Sequence, residues 1–149
     1  MNDLKGIPIA VADDAAGLTL SGNADPILHE IRSLLNDLVT SGKSASIDLR
    51  NLPLSTGDYQ KLKEVLGQGE VSATIDAMGP TQVRETAVHG VWWVTHYNND
   101  STVIAEFLEV TTMPEILRTH PADARAGLDL LQSRLISATE VDKGGDGDV

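Results

Sequence analysis

The sequence contains no cysteine. Disulfides, thiolate zinc sites, cysteine-ligated iron–sulfur clusters and cysteine nucleophiles are thereby excluded as contributions of this protein. Aromatic residues make up only 3%, with two Trp, two Tyr and one Phe, so aliphatic side chains must fill most of the core. Basic residues are scarce as well. The 11 Lys and Arg stand against 22 Asp and Glu, for a formal net charge of −11. Such a surface repels phosphate backbones, which argues against nucleic-acid binding, and it attracts basic peptides or proteins. No apolar run approaches the ~20 residues of a membrane span. The stretch from Met1 to Asp14 lacks the basic start and apolar core of a secretory signal. The expectation is a cytoplasmic protein that neither enters a membrane nor binds nucleic acid.

What is present suffices for a folded domain. The chain has 149 residues, 41% hydrophobic and 22% charged, which fits one core of ordinary composition. Asp25 and Pro26 open a predicted helix over 26–40, in which Ile27, Ile31, Leu34, Leu35 and Leu38 recur at helical spacing and Gly42 supplies the stop. Ala45, Ile47 and Leu49 alternate with polar neighbours, which predicts a half-buried strand. Ser55 and Asp58 make a capping box for a short helix carrying Tyr59, Leu62, Val65 and Leu66, closed by Gly67.

The period then changes to two. Strands are predicted over 69–78, 82–88, 91–97 and 102–110, joined as an antiparallel meander, with His89-Gly90 and Asn98 to Ser101 as turn chemistry. A helical turn follows Pro114. A longer helix begins near Pro121, with Leu128, Leu131, Leu135 and Ile136 on one face. The fold class is therefore α+β: a mostly antiparallel sheet of about four to five strands, with helices mainly on one face. The expected organisation is an arm or edge strand with a mobile linker over 1–24, the α+β domain over 25–138, and a disordered acidic, Gly-rich tail over 139–149.

Few patterns carry chemistry. The four histidines show no H-x-x-x-H or H-E-x-x-H spacing, and there is no G-x-S-x-G elbow, phosphate loop or dinucleotide fingerprint. The tail from Asp142 to Asp148 lacks the ligands of a calcium loop. No metal and no cofactor are expected. The adjacent Trp92 and Trp93 must point to opposite sides of a strand. One belongs to the core, while the other faces outward as a peptide anchor or lies under a helix. Arg84 and Glu85 point to opposite faces for the same reason. His96 could pair with Glu106 or Glu109 on the next strand as an acid–base couple.

A family resemblance covers roughly residues 25–138. It is carried in order by Leu52-Pro53-Leu54-Ser55, Leu66-Gly67-Gln68-Gly69-Glu70-Val71, Arg84-Glu85-Thr86, Gly90-Val91-Trp92, Leu108-Glu109-Val110 and Pro114-Glu115-Ile116-Leu117. This set resembles the HupH/HyaF-type hydrogenase expression proteins. The resemblance implies an accessory role, not catalysis, in assembling nickel–iron uptake hydrogenase. It implies a chaperone that binds an immature hydrogenase subunit, the small-subunit precursor with its twin-arginine signal peptide being favoured. It also implies a thioredoxin-like accessory protein as a second partner. Longer members carry two related modules where this protein has one, so a homodimer would supply the second copy. The candidate partner-binding residues are Trp92, Trp93, Arg84, Glu85, His96 and Glu109. The alternative is a small enzyme using His96 with Glu106 or Glu109.

Overall fold

A computed structural model describes residues 21–144. Of the expected N-terminal arm, residues 1–20 lie outside the described residues, as do 145–149 of the expected tail. The protein divides into two compact units between Pro114 and Glu115, inside the stretch that the sequence suggests is one domain.

In the first unit, helix α1 spans Ala24–Ser41 and ends at Gly42, whose positive φ suits the stop. It starts slightly before the expected Asp25 cap. Asn23 occupies the cap position, with its side-chain amide donating to the Pro53 carbonyl at 2.7 Å, while Asp25 pairs with Lys61 at 2.7 Å. Pro26 still falls in the first turn, where a missing N–H leaves no helical bond unmade. Strand β1 spans Ala45–Asp48, and a 3-10 turn follows over Leu49–Asn51. Asp48 caps that turn by accepting from the Arg50 N–H, so Leu49 leaves the strand yet stays fully buried. Helix α2 spans Thr56–Leu66 with the capping box of Ser55 and Asp58 in place.

The remaining strands are β2 (Ser72–Ile75), β3 (Thr81–Glu85), β4 (Val91–Tyr97) and β5 (Val103–Val110). They form one five-stranded antiparallel sheet in the order β1-β5-β4-β3-β2. The meander β2 to β5 is as expected. The backbone passes from β1 at one edge, through α2, to β2 at the other.

Helices α1 and α2 pack on one face of this sheet. Ile27, Ile31, Leu62 and Leu66 meet Ile47, Leu49, Val91, Trp93, Leu108 and Val110. Burying one such aliphatic side group completely contributes about 1.5–3 kcal/mol of transfer free energy, so this cluster is the main source of stability.

The second unit holds a 3-10 turn at Glu115–Leu117 and helix α3 over Pro121–Gly144. The helix runs past residue 139, where the sequence suggests a tail. Good helix formers such as Ala138, Glu140 and Lys143 sustain it, and the Thr139 hydroxyl donates to the Leu135 carbonyl at 2.9 Å.

Candidate functional site

A cleft of about 590 Å³ lies between the C-terminal end of α2 and strands β3 to β5. Its shape follows from the way α2 ends. Gly67 adopts φ 66° and donates its N–H to the Lys63 carbonyl. A Cβ on Gly69 would lie 2.5 Å from the Thr86 carbonyl oxygen, a distance only glycine tolerates. Backbone bonds then tie the two segments together: Ala87 N–H to Leu66 O, Gly69 N–H to Glu85 O and Glu85 N–H to Val71 O, at 2.8–2.9 Å. Gln68 is left between the two glycines, exposed at the cleft wall.

Trp93 is the floor. It packs into the core on one side and is 9% exposed. Its indole Nε1–H donates to Glu106 Oε2 at 2.8 Å, and the Thr95 hydroxyl donates to the same oxygen at 3.4 Å. Lys63 reaches over from α2, its ammonium 5.7 Å from the Trp93 ring centroid. Arg84 is the cross-strand partner of Trp93, and Gln82 that of Thr95, so both side groups share this face. Tyr97 completes the aromatic lining.

The candidate residues divide between the two faces. Trp92 is buried on the opposite face, and its Nε1–H donates to the Thr111 carbonyl at 3.1 Å. Neither tryptophan stands exposed, because each indole N–H has an acceptor inside the fold and the rings pack around it. Arg84 is exposed at the cleft. Glu85, at the end of β3, comes within 3.1 Å of His89 Nδ1, and this hydrogen bond holds its carboxyl below the ordinary range.

The proposed acid–base couple is not assembled. His96 pairs with Ala105 and Glu106 with Thr95, so the two side groups point to opposite faces. His96 instead meets the Thr81 hydroxyl at 2.8 Å and the edge of Phe107. Glu109 shares the face of His96 but is paired with Trp92, two side-chain positions along the strand. Burial pushes the Glu109 carboxyl up, and the charge of His96 offsets this only in part. No group of three or more His, Cys, Asp or Glu positioned to hold a metal occurs among the described residues. No helix among them is long and apolar enough to cross a membrane.

Lys63, Gln68 and Gln82 were not among the candidates. Gln68 carried a signal, since a polar residue between two glycines marks a backbone held close to something. Lys63 and Gln82 carried none, because their place beside Trp93 depends on how α2 packs on the sheet and on the register of β3 against β4.

Arg84-Glu85-Thr86 and Gly67-Gln68-Gly69, two of the motifs on which the family resemblance rests, therefore meet in one cleft. The family model described as HupH hydrogenase expression protein, C-terminal conserved region, matches residues 22–137. The chain belongs to this family. A solved structure of the hydrogenase expression protein HupH from Thiobacillus denitrificans ATCC 25259 superposes with a TM-score of 0.77 at 40% identity. It covers 80% of this chain and 99% of that one. The hydrogenase expression/formation protein HoxQ of Azotobacter vinelandii is 29% identical over 115 residues, 77% of this chain and 35% of that protein. The hydrogenase expression/formation protein HupH of Rhizobium leguminosarum bv. viciae is 29% identical over 133 residues, 83% of this chain and 47% of that protein. The match thus spans between about a third and a half of the length of these two curated relatives.

Proposed function

We propose that this HupH-family domain is a non-enzymatic accessory protein of nickel–iron hydrogenase maturation. It binds an immature hydrogenase subunit, the small-subunit precursor above all, through the Trp93 cleft, in the cytoplasm before the subunit is completed or exported. The names of the relatives, hydrogenase expression/formation proteins, support the pathway. The observation that carries the binding reading is the convergence of the Gly67-Gln68-Gly69 and Arg84-Glu85-Thr86 motifs on one aromatic-floored cleft. An aromatic platform ringed by amides and charges suits a protein segment, whose backbone and side groups offer all three kinds of contact. The surface charge of −11 favours encounter with a precursor that carries a basic segment, such as a twin-arginine signal peptide. A thioredoxin-like accessory protein and a second copy of the same protein are the further partners in this reading.

The test is capture from cells shown to be making hydrogenase precursors, with the tagged protein beside its Trp93→Ala and Arg84→Ala variants. The expected result is an unprocessed hydrogenase subunit, identified by mass spectrometry, retained by the wild type and lost by a variant that remains folded. Absence of every hydrogenase component from the wild-type capture would overturn the reading.

A further inference from the structure

Donors and acceptors in the cleft are unevenly engaged. Its three carboxylates already have partners within the protein. Glu106 accepts from Trp93 and Thr95, Glu85 meets His89, and Glu64 accepts from Gln60 at 3.0 Å. The cations differ. Among the described residues neither the Lys63 ammonium nor the Arg84 guanidinium has an ion pair or hydrogen bond, and the side-chain amides of Gln68 and Gln82 have no partner either. Lys63 and Arg84 approach Trp93 from two directions, one from above the ring and one from the neighbouring strand.

We infer that the cleft holds a carboxylate presented by a protein segment, bracketed between the Lys63 ammonium and the Arg84 guanidinium beside Trp93. This rests on the reading of the domain as a subunit-binding factor and names the chemistry of the segment that enters the cleft. A basic side group fits less well, because the face of Trp93 that would attract it is already covered by Lys63. A phosphate dianion fits less well too, since Glu64, Glu85 and Glu106 line the same cleft and repel a double charge more than a single one. The guanidinium of Arg84 matches a carboxylate in plane, and Gln68 and Gln82 offer both donors and acceptors to the peptide groups beside it. A basic signal segment, if the same partner carries one, is held elsewhere on the acidic surface. The carboxylate has two sources of equal chemistry, an acidic residue within the segment or the segment's own terminal carboxylate.

The experiment follows the two indole N–H signals of the 149-residue protein by NMR, one from Trp93 in the cleft and one from Trp92 as an internal control. The probes are acetylated five-residue alanine peptides. One carries a central glutamate and an amidated end, one a central glutamine, one a central arginine, and one only a free C-terminal carboxylate. Inorganic phosphate is the fifth probe. The expected result is a saturable shift of the Trp93 signal with the glutamate or free-carboxylate peptide, while the Trp92 signal stays in place. The tighter of these two identifies the source. The glutamine peptide should bind at least several-fold more weakly. The Lys63→Gln/Arg84→Gln double variant, its fold certified by an unchanged Trp92 signal, should lose roughly tenfold in affinity. Stronger binding of the arginine peptide or of phosphate, equal binding of glutamate and glutamine, or no shift by about 10 mM of either carboxylate peptide would each overturn the inference. Any of these leaves capture of the hydrogenase subunit to stand or fall by its own test.

Discussion

Trp92 and Trp93 are neighbours in sequence and live in different chemistry. Both are buried, and both satisfy their indole N–H. The acceptor for Trp92 is the backbone carbonyl of Thr111, a residue that itself donates its N–H to the Gly90 carbonyl and so closes the corner after β5. The acceptor for Trp93 is the carboxylate of Glu106, at the edge of an open cleft. A backbone carbonyl is not turned away without moving the backbone itself, whereas a carboxylate can rotate or share its oxygens with a guest. The first tryptophan therefore fixes the fold, and the second reports on the cleft. The lesson is that burial alone does not separate structural from functional aromatics; the nature of the polar partner does.

The largest expected effect comes from removing the support of the Trp93 side. Asp58 caps α2, which forms the wall of the cleft, and it is fully buried. Burial alone would raise its pKa. The hydrogen bonds from Ser21 and Ser55 outweigh that and lower it from 3.8 to about 2. Because the folded value lies below the unfolded one, this carboxylate contributes stability above pH 3.8 that is lost as pH falls through about 2. Asp58→Ala should cost about 2 kcal/mol at pH 7 and flatten the acid limb of stability. Urea titrations between pH 2 and 7 check both, and an unchanged acid limb would break the assignment of that limb to Asp58.

A smaller effect sharpens the comparison itself. Trp92→Phe leaves the Thr111 carbonyl without its donor and should cost about 1–2 kcal/mol from that lost bond. Trp93→Phe leaves Glu106 half-buried, still bonded to Thr95 and within reach of water, and should lose less stability. The order should reverse for capture of the hydrogenase subunit, which Trp93→Phe weakens and Trp92→Phe spares. Denaturation and capture on the same two proteins would show it. Equal losses in both assays would erase the distinction between the two faces.

The smallest effect lies beside Trp92. Burial raises the Glu109 pKa, partly offset by His96. With the folded value above the unfolded one, stability is fullest below the unfolded value of about 4.5 and is lost as pH rises through the folded one. Glu109→Gln should therefore gain up to about 0.5 kcal/mol at pH 7, a gain that disappears in acid. A thermal melt at pH 7 and at pH 4 measures the difference.

Much of the fold could be read in the sequence because local rules and tertiary packing agree. Strand β4 occupies 91–97 as expected, and Ser55 and Asp58 form the expected capping box. Agreement fails where backbone meets backbone. The strand expected over 69–78 shrinks to Ser72–Ile75, because Gly69 and its neighbours are bonded to the segment 85–87 as the end of α2 is anchored. The cleft was only half legible. Arg84, Glu85 and Trp93 could be singled out as unusual, but what gathers them with Lys63 and Gln82 is the placement of β3 beside β4 and of α2 above both. The expected meander already sets β3 beside β4, but no local pattern encodes where α2 settles on the sheet, nor the opposite-face register that keeps His96 from Glu106.

The sheet order also has a consequence for synthesis. Among the described residues, the strand partner of β1 is β5, with Ala45 opposite Val110, while β2 to β5 pair with their sequence neighbours. As the protein leaves the ribosome, β1 and the apolar face of α1 emerge well before the strand that completes them. The domain does not close until Val110 is made, so its slowest contacts are its most sequence-distant ones. A nascent factor of this kind passes through an interval with an open strand edge and bare leucines, when it is itself exposed to aggregation.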